Sequence, residues 1–169
     1  RLKRLLKEGR EHATLKGKTL GMIFDKSSTR TRISFEVGMY QMGGIALFLS
    51  NRDTQLGRGE IIADSARIMS RYLDGIMIRT FSQASVEEFA RYATIPVING
   101  LTDDYDHPVQ SLTDAFTILE HLGTVEGLTC AFVGKCSDAM CTSVSLTMSR
   151  LGSNMLLAAP PEEQMAPET

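Results

Sequence analysis

The sequence predicts an α/β fold around a largely parallel sheet, and three observations predict it. β-type apolar runs alternate with helical periods from nearly one end of the chain to the other. Polar turns rich in Gly, Pro, Asp and Ser separate them. The 169 residues are 43% hydrophobic and 22% charged, enough apolar surface for one good core and the start of a second.

The elements follow in order. Leu2, Leu5 and Leu6 share one face of an opening helix. Seven strand-like runs can be counted, the first being TLGMIFD at 19–25. After a polar SSTRTR turn, a helix is predicted over about 32–42, with Ile33, Val37 and Tyr40 on one face. Gly43 and Gly44 supply the left-handed positions of its C-terminal cap. A short strand at 46–50 and a polar, glycine-bearing loop at 51–60 come next. The helical pattern at 61–73 sets Ile62, Ala66, Met69 and Leu73 in register, and GIMIRT at 75–80 reads as a buried strand. Ser85 with Glu88 forms a capping box that opens the following helix, and 95–101 is another strand. Beyond the loop TDDYDHP, Pro108 fits the first turn of a helix whose buried face is Leu112, Ala115, Phe116 and Leu119. Gly123 and Gly127 mark a break. TCAFVG at 129–134, a helix near 139–151 and a strand at 155–159 then form a βαβ unit. The last ten residues, with three prolines, read as a frayed end.

Charge excludes several function classes. Eighteen Lys and Arg stand against 20 Asp and Glu, a net charge of −2, so nothing draws the chain as a whole to nucleic acid or an anionic membrane. Any anion site must be local. No apolar run approaches the roughly 20 residues of a membrane span, and no leader pattern is read at the start, so a cytoplasmic, reduced setting is expected. Cys130, Cys136 and Cys141 lack CxxC spacing and read as packed thiols rather than zinc ligands or disulfide partners.

The strongest local signal is Ser27-Ser28-Thr29-Arg30-Thr31-Arg32, between a strand and a helix. The unpaired amides and dipole of a helix start form an anion site, and two arginines add charge and bidentate donors suited to phosphate. A generic Ser/Thr/Arg cluster is more often a plain cap with solvated arginines, and this is no Walker loop. Two further strands end in polar chemistry: Arg79 closes GIMIRT, and His107 and Gln110 follow VINGL as His-Pro-Val-Gln. Ligands of open α/β sheets bind outside the carboxyl ends of the strands, so the three groups are expected to converge.

Three segments, FDKSSTRTRISFEVGMYQMGG, RGEIIADSARIMSRYLDGIMIRTF and VINGLTDDYDHPVQSLTDAFTILEHLG, resemble the carbamoyl-phosphate-binding half of the aspartate and ornithine carbamoyltransferases. STRTR followed by HPxQ is specific to that family, and DGIMIRTF and NGLTDDYDHP lean to its ornithine branch. The resemblance implies a three-layer, parallel-sheet carbamoyl-phosphate-binding domain over 1–123. It also implies the first βαβ unit of a truncated amino-acid-binding domain over 124–169, in a chain about half the family's length. The implied reaction moves the carbamoyl group of carbamoyl phosphate to the δ-amine of ornithine, giving citrulline and phosphate, with no cofactor or metal. Another acceptor such as putrescine, or an inactive binding module, is the alternative.

By this resemblance, Ser28, Thr29, Arg30 and Thr31 hold the phosphate. Arg79, Thr31 and His107 contact the carbonyl oxygen, and Gln110 contacts the carbamoyl nitrogen. Gln55 reaches into a neighbouring subunit's site, which implies a homotrimer with shared active sites. One stretch departs from the family pattern. Where an acidic residue and an asparagine pair are usual, the chain has Lys135-Cys136-Ser137-Asp138-Ala139. Ala139 cannot replace an amide's donors and acceptor, and a one-residue slip would give Asp138 the acceptor-binding role.

Overall fold

The computed structural model describes residues 1–50 and 59–165. The chain divides into two compact units, Arg1–Thr80 with Ala84–Ile98, and Phe81–Gln83 with residues 99 onward. The elements run α1 (Leu2–Lys7), β1 (Thr19–Phe24), α2 (Thr29–Gln41), β2 (Ile45–Ser50), α3 (Ile62–Met69), β3 (Gly75–Thr80), α4 (Gln83–Tyr92) and β4 (Val97–Thr102). There follow α5 (Pro108–Leu122), β5 (Thr129–Val133), α6 (Ala139–Arg150) and β6 (Asn154–Ala158). The described residues thus hold six strands, one fewer than the apolar runs counted in the sequence.

In the first unit β1 pairs in parallel with both β2 and β3, within a sheet of order β2-β1-β3-β4. Partners in a parallel register share a sheet face, and alternation along β1 divides the core in two. Leu20, Met22 and Phe24 of β1, with Met77 of β3, pack against Met39 and Phe35 of α2. Ile23, Ile76 and Ile78 pack on the other face against Ala66 of α3 and Val86 and Phe89 of α4. The layers are therefore helix, sheet and helix. Met22, Ile76 and Met77 are fully buried, each contributing about 1.5–3 kcal/mol of transfer free energy. Gly21 lets Leu73 pack closely on β1: a Cβ there would lie 2.5 Å from Leu73 Cδ1 and displace that side chain.

In the second unit β5 and β6 pair in parallel, with α6 as the crossover. A small core of Ala115, Val125 and Met148 joins α5 to α6.

Several expectations about faces and ends are corrected. Helix α2 starts at Thr29, three residues before the predicted start, and buries Met39 while Ile33, Val37 and Tyr40 are exposed. The helix carries apolar residues all round, and the sheet selects the pair four apart that reaches it, Phe35 and Met39. On α5 the buried residues are Ser111 and Ala115, whereas Leu112, Phe116 and Leu119 are exposed, because α6 approaches the small-residue face. Of the two cap glycines only Gly43 is left-handed, at φ 79°. Gly44 serves close packing instead, since a Cβ there would meet Met39 Cε at 2.6 Å. Helix α4 opens at Gln83, not at the Ser85 box, because Asp104 Oδ1 accepts the Gln83 N–H at 2.8 Å. The end of the described chain is tied down rather than frayed: Glu163, in a short 3₁₀ turn at Pro161–Glu163, accepts from Ser137 Oγ at 2.6 Å and pairs with Lys135.

The entries of β1 and β3 are joined by a polar clasp. Asp74 accepts from Lys18 Nζ and from the Thr19 N–H, both at 2.8 Å, and these donors hold its carboxyl below the ordinary value of 3.8. A lowered carboxylate contributes stability that is present above the unfolded-state value and is lost as pH falls through the folded one. Asp74→Asn should therefore lower the urea midpoint near neutral pH, and the difference from wild type should close as pH is taken below about 3.8. A gap that persists at low pH would assign the effect to packing rather than charge.

Candidate functional site

Register builds the first half of the site. Phe24 lies opposite Ser50 of β2 and Arg79 of β3, so the last row of the sheet places Ser50 and Arg79 on the face that carries α2. The chain leaves β1 through Asp25 to Ser28 and turns into α2, whose first turn stands above that row. Arg79 Nη1 donates to Thr31 Oγ1 at 3.3 Å, and Arg79 Nε is buried. On the opposite face Thr80 Oγ1 donates to Asp25, which anchors the start of the turn.

Ser28 holds the N-cap position with extended backbone, φ −156° and ψ 103°, yet its side chain makes no capping hydrogen bond. The helix start therefore does not spend its amides on Ser28 Oγ, as the plain cap of a generic Ser/Thr cluster would. Beside it opens a cleft of about 740 Å³ lined by Lys26, Ser28, Thr29, Arg32, Phe48 and Ser50, among others. Two cations, a helix dipole and hydroxyls face this volume against one carboxylate, Asp25, which accepts from Thr80, and the balance suits an anion. Arg30 is exposed and not among the lining residues, whereas Arg32 is.

Lys26 was not singled out from the sequence, and Arg32 only as the second of the two arginines in SSTRTR. The only sequence signal for Arg32 was its place at the end of the motif. What commits it to the cleft is tertiary: its guanidinium lies 3.8 Å from the Phe48 ring centroid, while within α2 its Nε donates to Glu36 at 2.9 Å. The Phe48 ring in turn leans on Phe24, with centroids 5.3 Å apart.

The second unit carries the other expected residues. His107 is the N-cap of α5, with Pro108 at N1, and Nδ1 of its ring is buried. Gln110 Nε2 donates to Asp114 Oδ1 at 2.9 Å. The loop before them is closed on itself: the Thr102 N–H donates to the Asp106 carbonyl at 2.9 Å, and the Asp106 N–H donates to Thr102 Oγ1 at 3.1 Å. Thr102 is fully buried and donates to Gln83 Oε1 at 3.0 Å, which also accepts from Asn99 Nδ2. These supports were invisible in the sequence because the partners lie 16 and 19 residues apart.

Asp138 is the N-cap of α6, and its Oδ1 accepts from the Met140 and Cys141 N–H groups at 2.9 and 3.1 Å. With Asp104 and Tyr105 it lines a pocket of about 250 Å³, and Ala139 lies in the same lining. The two helix starts thus differ: that of α2 lacks a side-chain cap, and that of α6 is occupied by its own carboxylate.

In sum of placement, Ser28, Thr29, Thr31 and Arg79 gather in the first unit with Arg30 at its surface, while His107, Gln110 and Asp138 belong to the second. Gln55 lies outside the described residues. Among the described residues no group of three His, Cys, Asp or Glu could hold a metal ion, and no helix is long and apolar enough to cross a membrane.

A family model described as aspartate/ornithine carbamoyltransferase, carbamoyl-P binding domain, matches residues 1–120. The chain belongs to this family. The ornithine carbamoyltransferase of Syntrophus aciditrophicus (strain SB) is 71% identical over 133 residues, which is 79% of this chain and 44% of that protein. That of Anoxybacillus flavithermus is 55% identical over 159 residues, 94% and 50% respectively. The chain spans about half the length of these curated relatives. The structure of ornithine carbamoyltransferase from Pyrococcus furiosus superposes with a TM-score of 0.93 at 46% identity, covering 98% of this chain and 52% of that one. An aspartate transcarbamoylase from Trypanosoma cruzi, solved with carbamoyl phosphate, gives 0.91 at 28% identity, covering 99% and 53%. The α/β parallel-sheet architecture is that of the family's carbamoyl-phosphate-binding domain.

The cysteines divide by environment. Cys136 and Cys141 are buried and Cys130 is partly exposed. Burial, with the neighbouring Cys136 thiol as the next cause, pushes the Cys141 thiol up to about 11. Iodoacetamide at pH 8 should therefore modify Cys130 first and leave Cys141 intact in the native protein, as read by peptide mass mapping. Equal rates at the two positions would contradict the packed-thiol assignment.

Proposed function

We propose that this chain supplies the carbamoyl-phosphate half of an ornithine carbamoyltransferase, which transfers the carbamoyl group to the δ-amine of ornithine and releases citrulline and phosphate. The observation that carries this reading is the α2 start without a side-chain cap, set over the Arg79–Thr31 hydrogen bond at the carboxyl ends of β1 and β3. Ser28, Thr29 and Arg30 with Thr31 receive the phosphate through amides, hydroxyls and a guanidinium. Arg79, Thr31 and His107 are assigned to the carbonyl oxygen, and Gln110 to the carbamoyl nitrogen.

In the step so assigned, the lone pair of the neutral amine forms a C–N bond to the carbamoyl carbon and the carbonyl electrons move onto oxygen. Donors fixed before the reaction stabilise that oxyanion without reorganising. Collapse restores the carbonyl and breaks the bond to the phosphate oxygen, and the proton lost by the amine passes to the departing phosphate. Positioning and electrostatics carry the chemistry, so His107 acts in this scheme as a hydrogen-bond donor rather than a general base.

The acceptor class has a second reading. Asp138 caps α6 with its own carboxylate beside Asp104, an environment that favours a cationic end over a carboxylate, and thus a diamine such as putrescine. Comparing ornithine with putrescine as acceptors for the longer protein separates the two. The reading also takes over the homotrimer with Gln55 shared between subunits and the cytoplasmic setting, and sedimentation of the longer protein tests the former.

Calorimetry of the 169-residue chain with carbamoyl phosphate and with inorganic phosphate tests the anion site. Arg30→Ala should weaken both by about tenfold or more, since a charge-assisted hydrogen bond contributes about 1.5–3 kcal/mol. Unchanged affinity in that variant would remove Arg30 from the site. The chain alone should bind without forming citrulline. In the longer protein Arg79→Ala should reduce turnover while leaving thermal stability without ligand close to wild type.

A further inference from the structure

We propose that Ser143 of α6, with Asp106, is a positioning residue that sets the backbone of His107 and so the placement of its imidazole. The assignment of His107 to the carbonyl oxygen belongs to the function proposed above, and the effect on ligand binding rests on that reading. The structural part of the inference stands on hydrogen bonds alone.

Ser143 is fully buried at 1% exposure, on the face of α6 turned to α5. Its Oγ accepts the His107 N–H at 2.5 Å. The one hydroxyl proton has two acceptors in reach, Asp106 Oδ1 and the Ala139 carbonyl at 2.6 Å. The carboxylate is the stronger acceptor, so Asp106 orients the hydroxyl with its lone pairs toward the His107 N–H. Asp106 is itself held through both its backbone groups by buried Thr102. One turn further along each helix a second polar contact repeats the arrangement: Ser111 Oγ and Thr147 Oγ1 lie 2.8 Å apart, and Ser111 is fully buried.

Buried hydroxyls at this helix contact are costly unless each is satisfied. Nothing in the small core of Ala115, Val125 and Met148 needs them for apolar packing. Their common feature is what they grip: residues 106, 107, 108 and 111, the stretch that presents the His107 ring and Gln110. As the N-cap of α5, His107 makes no side-chain capping bond. The Ser143 contact fixes its backbone N–H from a residue 36 positions away.

Two measurements on the 169-residue chain test this. In native-state hydrogen exchange, Ser143→Ala should speed exchange of the His107 amide by about tenfold or more, while amides in the middle of α5 keep their wild-type rates. In calorimetry the same variant should weaken carbamoyl phosphate by about tenfold and leave inorganic phosphate within about twofold, because only the former presents a carbonyl oxygen to His107. Asp106→Asn, which keeps an acceptor oxygen for the hydroxyl, should behave as wild type in both, whereas Asp106→Ala should follow Ser143→Ala. If Ser143→Ala fails to fold, the two Asp106 variants decide alone. A folded Ser143→Ala with wild-type exchange at His107, or an Asp106→Ala indistinguishable from Asp106→Asn, overturns the inference. Exchange altered as expected, but no carbamoyl phosphate binding by the wild-type chain, would sustain the positioning role and count against the proposed function.

Discussion

The parallel register of β1 against β3 is the constraint on which the rest of the first unit depends. Shifting it by one residue would move Arg79 to the opposite face of the sheet, away from Thr31, and would exchange the apolar sets that pack on α2 and on α3 with α4. The register is held at one end by the Lys18–Asp74–Thr19 clasp and at the other by the Thr80–Asp25 hydrogen bond. Between them, Met22 with Met77 and Ile23 with Ile78 fill the two core layers. The same pairing that buries the core thus delivers the arginine to the helix start.

Chemistry in this molecule is concentrated where regular structure begins. Two helix N-termini are built in opposite ways. Ser28 leaves the start of α2 without a side-chain cap, beside a cleft bearing Lys26 and Arg32, whereas Asp138 closes the start of α6 with its own carboxylate. The dipole favours negative charge at both starts, and at the second the Asp138 carboxylate already supplies it. The third helix start, at His107, is set by neither device but by a buried serine from α6.

Much of this was legible in the sequence. Apolar runs and glycine breaks located each strand, Ala66 and Leu73 were correctly placed in the core, and SSTRTR marked the start of α2 because helix-start chemistry is local. Errors cluster where a helix had more than one apolar face. On α2 and α5 the longest apolar stripes, Ile33-Val37-Tyr40 and Leu112-Phe116-Leu119, are exposed, and other residues, Phe35 with Met39 and Ser111 with Ala115, face the packing partner. Periodicity measures which residues share a face and carries no information on which face a neighbour occupies.

The sequence by itself determined the alternation of strand and helix, the left-handed turn at Gly43, and the grouping of hydroxyls and arginines at one helix start, since each depends on residues within a few positions of one another. Only the tertiary structure decided that Arg79 meets Thr31 across 48 residues, that Arg32 is drawn to the cleft by Phe48, and that Ser143 holds His107 across 36. Those contacts follow from strand register and helix packing, whose energy comes from apolar surface that many alternative sequences bury equally well. The polar partners are specified by where that burial leaves them.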